Sequence, residues 1–225
     1  MQPHDFWQEI HAPATFDTGG PHGFFYPAEL DDGRQIRLPI RPLAGGQNAL
    51  ASLIVNQAGF DVQDTLAADL APKLAAFRPE VIVGLPTLGL TLAAAVARAL
   101  GHSRYVPLGT SRKFWYEDAL SVPLSSITTP EQAKRLYVDP RMLPLIRGKR
   151  VALIDDVISS GTSIVAGLSL MTALGIEPVV IGAAMLQSER WHERLDAADA
   201  RWRPRVVSAF RTPLLKTAGE GLWTA

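Results

Sequence analysis

The sequence contains no cysteine, which excludes disulfide bonds and thiolate metal sites within these 225 residues. No apolar run approaches the roughly 20 residues that a membrane-spanning helix requires. Neither sign of charge dominates, because 22 lysines and arginines balance 22 aspartates and glutamates. A global basic field that would attract nucleic acid is therefore lacking, and we expect no nucleic-acid partner. The first residues do not follow the basic-then-apolar layout of a secretion signal, so we expect a cytoplasmic protein without membrane association.

Apolar residues make up 47% of the chain, which is an ordinary value for a folded globular protein. The length suits one well-buried domain with an appendage, or at most two small domains. We predict that residues 1–60 form an N-terminal segment and the elements of a small appended subdomain. We predict that residues 61–225 form the core.

The most informative stretch lies between residues 151 and 163. Residues 151–154 are a continuous apolar run, which predicts a strand buried on both faces and ending at Asp155 and Asp156. A loop with four hydroxyl side chains around one glycine follows, and then apolar residues recur at helical spacing as far as Gly175. Ligands of open α/β sheets bind outside the carboxyl ends of the strands, where the two carboxylates would lie.

Each part of this stretch has a chemical use. The carboxylates of Asp155 and Asp156 are acceptors for a sugar diol, or for a divalent cation through water. The free N–H groups where the helix begins favour a phosphate, and Gly161 lets the backbone approach it closely. Together these features predict a ligand that carries both a diol and a phosphate, such as a ribose 5-phosphate group. The alternative is a buried strand with an N-capping aspartate and a serine-rich turn.

This stretch resembles the phosphoribosyl-diphosphate motif of type I phosphoribosyltransferases, in which four hydrophobic residues, two acidic residues and a hydroxyl-rich glycine loop follow one another. The resemblance covers about residues 60–190. It implies an α/β fold, a parallel sheet flanked by helices with a small hood subdomain. It also implies transfer of a phosphoribosyl group from phosphoribosyl diphosphate to a nitrogenous base, with loss of pyrophosphate and with Mg²⁺ as cofactor. Asp155 and Asp156 would be the catalytic pair, and the phosphate-binding residues would be Ser159, Ser160, Gly161, Thr162 and Ser163.

A second unit of strand, glycine-containing loop and helix spans about residues 81–100. It resembles the pyrophosphate loop of the same family, which implies that backbone groups of Thr87, Leu88 and Gly89 bind pyrophosphate. Thr87 and Leu88 stand where many members have a charged or smaller residue, so side-chain contacts are not expected there. Without the resemblance, this segment is an ordinary tight turn between strand and helix.

Residues 110–137 form a long polar excursion, which is typical of a functional lid. The family has a mobile loop at this place, so we predict a mobile loop over about 110–137. The pair Arg112 and Lys113 at its start is predicted to bind pyrophosphate, with a solvated basic pair as the alternative. The resemblance to purine-type members of the family implies that residues 187–190, after the next core strand, recognise the base, and an ordinary loop is the alternative.

The remaining expectations concern the ends of the chain. Phe6 and Trp7 are expected to pack on the domain surface, and Pro72 is expected to kink or split the helix that begins near Asp61. The tail after Pro213 is expected to pack on the hood or on a partner chain.

There are two alternatives to the predicted enzymatic function. One is a regulatory protein that senses phosphoribosyl diphosphate without turnover, and the other is a nonenzymatic structural homologue. A purine is the favoured base. No metal ligand is assigned directly, because Mg²⁺ would come with the substrate and Asp155 and Asp156 would reach it through water. By resemblance we also expect a homodimer.

Overall fold

The computed structural model describes residues 2–124 and 134–225. Its helices and strands follow the chain in this order: β1 (Phe25–Glu29), β2 (Gln35–Pro42), β3 (Asn48–Ala51), α1 (Phe60–Ala75), β4 (Val81–Gly84), α2 (Gly89–Ala99), β5 (Val106–Pro107), β6 (Ser121–Pro123), β7 (Arg135–Tyr137), α3 (Leu143–Ile146), β8 (Val151–Ile158), α4 (Thr162–Ala173), β9 (Val180–Gln187), α5 (Trp191–Asp199), β10 (Val206–Thr212), β11 (Leu215–Gly219) and β12 (Leu222–Thr224).

The core is a five-stranded sheet in the order β10-β9-β8-β4-β5, and every neighbouring pair in it is parallel. Strand β8 lies at its centre, and its side chains alternate between two apolar layers. Ala152 and Ile154 contact the layer formed with α1 and α2, whereas Val151 and Leu153 contact the layer formed with α4 and α5. The predicted α/β class with a parallel, helix-flanked sheet is therefore confirmed, and the continuous apolar run reflects burial on both faces.

A second sheet is antiparallel and has the order β1-β2-β3-β11-β12. Strands β1 and β2 pair as a hairpin, and the turn between them contains Asp31, Asp32 and Gly33. Strand β11, from the tail after Pro213, pairs with β3 through Leu215 and Ala49. The tail thus joins the N-terminal strands in one small sheet.

The expectation that Phe6 and Trp7 pack on the surface was wrong. Their side chains are only 4% and 5% exposed and belong to the apolar layer around α1 and α2. The indole Nε1 of Trp7 donates a 2.9 Å hydrogen bond to the carbonyl oxygen of Ser52. An aromatic pair in an irregular N-terminal segment carries no periodicity, so its burial depends on distant partners that a local pattern does not reveal.

Pro72 does not split α1, which is a single helix over Phe60–Ala75. The proline lies in the last turn, so the donor that it lacks and the clash of its ring affect only the end of the helix. Within the described part of the chain, no helix is long and apolar enough to cross a membrane.

The excursion predicted over 110–137 contains a short antiparallel hairpin at its described ends. Strand β6 pairs with β7, with Val122 opposite Leu136. Strand β6 is short, covering only Ser121–Pro123. The central part of the predicted mobile loop, residues 125–133, lies outside the described residues.

Candidate active site

Strand β8 carries the two carboxylates within its length and not at its end. It continues to Ile158 because its ladder with β9 runs on, pairing Asp155 with Ala183 and Ile158 with Leu186. The prediction that the strand stops at the acidic pair was therefore wrong by two residues. As a result Asp155 is only 5% exposed, while the neighbouring Asp156 is partly exposed.

Burial controls the charge state of this pair. Loss of solvation raises the pKa of Asp155 well above its ordinary value, and the negative charge of Asp156 raises it further. Burial also raises the pKa of Asp156, which hydrogen bonds from its surroundings partly oppose. The backbone N–H of Asp156 donates to Oδ1 of Asp155 at 3.0 Å. A ligand that donates hydrogen bonds or brings a cation would favour the ionised form of both side chains.

The loop after β4 lies against this pair. The N–H of Leu85 donates to the Ile154 carbonyl at 2.8 Å, which holds the loop beside β8. A Cβ atom on Gly89 would lie 2.9 Å from both Cα and Oδ1 of Asp155. Thr87 is exposed and Leu88 is half-buried, and the peptide bond between Pro86 and Thr87 is cis. The structure therefore brings the predicted pyrophosphate loop next to the predicted catalytic pair, and only glycine fits at residue 89.

The hydroxyl-rich loop forms a pocket of about 110 Å³ at the start of α4. Gly161 has φ of +79°, a left-handed conformation that glycine adopts without strain, and it precedes the first residue of the helix. The hydroxyls of Ser160 and Thr162 lie 3.1 Å apart. All five predicted phosphate-binding residues, 159–163, line the pocket. The other lining residues are Asp155, Val157, Ile158 and Ile164.

Arg112 and Lys113 do not line this pocket. Both side chains are exposed, and Nε of Arg112 donates a 3.0 Å hydrogen bond to the carboxylate of Asp118. Their predicted contact with pyrophosphate stays a prediction that depends on movement of this segment.

The segment after β9 also borders the site. The sequence left the role of residues 187–190 undecided and did not suggest one for Trp191. The backbone of Trp191 packs on the hydroxyl-rich loop, since a Cβ atom on Gly161 would lie 3.3 Å from the Trp191 carbonyl oxygen. Arg190 donates a 2.8 Å hydrogen bond to Oγ of Ser159. A cavity of about 670 Å³ opens between this segment and the end of β10, lined by Leu186, Ser188, Glu189, Arg190, Trp191, His192, Arg211, Thr212, Pro213 and Leu214. These contacts join residues some 30 positions apart, so no local pattern indicates them.

At one edge of the parallel sheet lie an acidic pair, a glycine loop and a hydroxyl-lined pocket. These are the features on which the resemblance to type I phosphoribosyltransferases rests. The chain matches the phosphoribosyl transferase domain over residues 52–202. It belongs to the phosphoribosyltransferase family, of type I, and is a pentosyltransferase by that membership.

Relatives of known name agree with this assignment. The bifunctional protein PyrR of Pseudomonas fluorescens is 33% identical over 147 residues, which cover 64% of this chain and 77% of that protein. The adenine phosphoribosyltransferase of Albidiferax ferrireducens is 33% identical over 112 residues, covering 48% of this chain and 52% of that protein. The orotate phosphoribosyltransferase of Polynucleobacter necessarius is 28% identical over 139 residues, covering 62% and 55%.

Solved structures share the fold at lower identity. The adenine phosphoribosyltransferase of Giardia lamblia, in complex with 9-deazaadenine, has a TM-score of 0.58 and 19% identity, covering 78% of this chain and 93% of that chain. The enzyme of the same name from Rhodothermus marinus has a TM-score of 0.54 and 18% identity, covering 78% and 94%. This likeness establishes the fold.

Proposed function

We propose that the chain transfers the phosphoribosyl group of phosphoribosyl diphosphate to a purine base and releases pyrophosphate. One observation carries this proposal: the carboxylate pair of buried Asp155 and partly exposed Asp156 lies between Gly89 and the hydroxyl-lined pocket. Three chemically different subsites therefore adjoin at one edge of the sheet, and the substrate has three matching parts, a diol, a diphosphate and a 5-phosphate.

The reaction breaks the bond between the anomeric carbon and a pyrophosphate oxygen, which keeps the electron pair. A ring nitrogen of the base forms the new bond with its lone pair, and positive charge develops on the ribose in between. The base gives up its ring N–H proton, which water or the released pyrophosphate accepts. Asp155 and Asp156 accept hydrogen bonds from the ribose hydroxyls and stabilise that charge. The backbone at Thr87–Gly89 donates to the leaving pyrophosphate, and residues 159–163 hold the 5-phosphate.

The donor set fits a magnesium ion that arrives with its substrate. Among the described residues, no three histidine, aspartate or glutamate side chains are grouped to hold a metal ion by themselves. Asp155 and Asp156 supply hard oxygen ligands, which Mg²⁺ prefers and contacts through water. Bound magnesium would neutralise charge on the departing pyrophosphate.

We place the acceptor base in the 670 Å³ cavity beside Ser188, at the carboxyl ends of β9 and β10. Its size suits a heterocycle, and ligands of this kind of sheet bind at that edge. The purine preference is supported by the names of the adenine-specific relative and of both structural neighbours.

The alternative function is regulation, in which the protein binds phosphoribosyl diphosphate without turnover. It is favoured by several matched relatives whose names describe bifunctional proteins, and thus a second activity. The assay below distinguishes this alternative from catalysis.

The experiment is a screen of purine and pyrimidine bases with phosphoribosyl diphosphate and Mg²⁺, measuring pyrophosphate release over many turnovers. We expect release with one or more purines and none without a base. Release with a pyrimidine alone would overturn the purine preference. Tight binding of phosphoribosyl diphosphate without release on any base would overturn catalysis in favour of sensing.

We also propose that the protein is a cytoplasmic homodimer, which rests on the resemblance to its family. Light scattering coupled to gel filtration tests the dimer: a mass near twice the 24.4 kDa of one chain supports it, and a single-chain mass contradicts it.

A further inference from the structure

Arg190 reaches the phosphate loop from a different strand and helix. It follows β9, immediately before α5, and its guanidinium donates to Oγ of Ser159 at 2.8 Å. Ser159 is part of the pocket that the hydroxyl-rich loop forms at the start of α4. A permanent positive charge therefore lies directly beside a pocket whose other donors are neutral hydroxyl and backbone groups.

The backbone that carries Arg190 is held by several contacts. Ser188 is buried, has φ of +61° and donates its N–H to the Thr212 carbonyl at 2.8 Å. The indole of Trp191 donates to the Ser188 carbonyl at 3.0 Å. Nε of Arg190 also donates to Oγ of Ser188 at 3.3 Å. The hydroxyl of Ser188 thus holds Nε of Arg190, and the hydroxyl of Ser159 holds one terminal guanidinium nitrogen. Little side-chain entropy of Arg190 therefore remains to be lost when a ligand binds.

The charge of Arg190 has no carboxylate partner among the described residues, since none lies within 4.0 Å of it. Arg112, by contrast, pairs with Asp118. The guanidinium of Arg190 keeps N–H donors beyond the two that contact Ser188 and Ser159.

The hydrogen bond to Ser159 also sets the direction of that hydroxyl. Because Oγ of Ser159 accepts from Arg190, its own proton is available to another acceptor. A hydroxyl that accepts from a cation becomes a stronger donor, so Ser159 is prepared to donate to an anion in the pocket.

We infer that Arg190 is a binding residue for the 5-phosphate of the substrate, acting through its guanidinium charge and through the oriented hydroxyl of Ser159. This inference rests on the proposed function, because it assigns the ligand of the same pocket. It gives Arg190 a role in holding the ribose phosphate and not in recognising the base.

The test compares Arg190→Gln with Arg194→Gln, which removes the same charge one turn further along α5. Ribose 5-phosphate and magnesium pyrophosphate are titrated separately by calorimetry. We expect Arg190→Gln to weaken ribose 5-phosphate about tenfold, the lower end for a charge-assisted bond at an exposed side chain, and to leave pyrophosphate affinity unchanged. Arg190→Lys should recover part of the loss, because it keeps the charge without the planar fork.

Unchanged ribose 5-phosphate affinity in Arg190→Gln would overturn the inference, and so would an equal loss in Arg194→Gln. Equal weakening of both ligands by Arg190→Gln would indicate a merely structural role and would overturn it too. If the unaltered protein binds neither ligand, the proposed function fails together with this inference, whereas normal binding with no effect of Arg190 refutes the inference alone.

Discussion

Gly89, the first residue of α2, lies against Asp155 of β8, with no room for a methyl group between them. A Cβ atom on Gly89 would lie 2.9 Å from the Cα and Oδ1 atoms of Asp155 and 3.2 Å from the backbone nitrogen of Asp156. Real Cβ atoms essentially never lie within 3.0 Å of another heavy atom, and the Cα of Asp155 is backbone that cannot rotate away. The contact fixes the distance between the glycine loop and the acidic pair.

Gly89→Ala should therefore reduce activity strongly and cost about 1–3 kcal/mol of stability, as overpacking at a tight contact does. Steady-state kinetics and urea denaturation measure the two effects. Gly109→Ala is the control, because a Cβ atom at that position meets nothing within 4 Å and the residue does not have a positive φ. Normal activity in Gly89→Ala would show that the loop does not depend on this contact.

Asp155→Asn should make the folded protein more stable at neutral pH while it loses function. The raised pKa of Asp155 means that the folded state binds a proton more tightly than the unfolded state. An aspartate in the unfolded chain has a pKa of about 3.9. Stability is therefore lost as pH rises from that value through the higher folded pKa. Asparagine does not titrate, so the variant does not lose stability in this way. Its free energy of unfolding should match that of the unaltered protein at low pH and exceed it increasingly as pH rises.

Urea denaturation of both proteins across this pH range measures that difference. Asp64→Asn serves as the control, because Asp64 is exposed on α1. A stability difference that does not change with pH would contradict the raised pKa of the buried Asp155 carboxyl.

Gly161→Val should abolish binding of ribose 5-phosphate while most of the fold remains. A side chain there strains a residue with φ of +79° and meets the backbone of Trp191 at 3.3 Å, beside the pocket. Gly175→Val is the matched control at the other end of α4: its φ is +71°, and nothing lies within 4 Å. Both variants should lose stability, but only Gly161→Val should lose the ligand. Equal affinities in a calorimetric titration would refute the assignment of this loop.

Limited proteolysis tests the predicted closure of the segment that begins at Arg112. Arg112, Lys113 and Lys134 are exposed, so trypsin should cut the free protein near them. Phosphoribosyl diphosphate with Mg²⁺ should slow these cuts, since the anionic pyrophosphate competes with Asp118 for Arg112. Ribose 5-phosphate alone should slow them much less. Equal rates under all three conditions would remove Arg112 and Lys113 from the site.

The sequence predicts the parts of the site that depend on local pattern. The strand, the hydroxyl-rich loop and the helix around Gly161 follow from apolar runs, helical spacing and glycine chemistry, and the parallel sheet follows from their order. The length of β8 beyond Asp155 depends instead on its ladder with β9, and a sequence pattern that breaks at two charges does not show it.

Long-range contacts account for the other differences. The sequence predicts that the backbone of Gly89 binds pyrophosphate, but the close approach of Gly89 to Asp155 requires β4 and β8 to be neighbours. Arg190 lies 31 positions from Ser159 and reaches it only because β9 follows β8 in the sheet. Burial of Phe6 and Trp7 likewise depends on the packing of α1 and not on the residues beside them.

The most direct test of the central claim is the formation of nucleoside 5-monophosphate from phosphoribosyl diphosphate, Mg²⁺ and a purine, followed by chromatography. The account predicts many equivalents of product per protein chain. It predicts a loss of at least about tenfold in the folded double variant Asp155→Asn/Asp156→Asn, because charge-assisted hydrogen bonds to the ribose contribute roughly 1.5–3 kcal/mol each. Product at the normal rate from that double variant would contradict the assignment of the site.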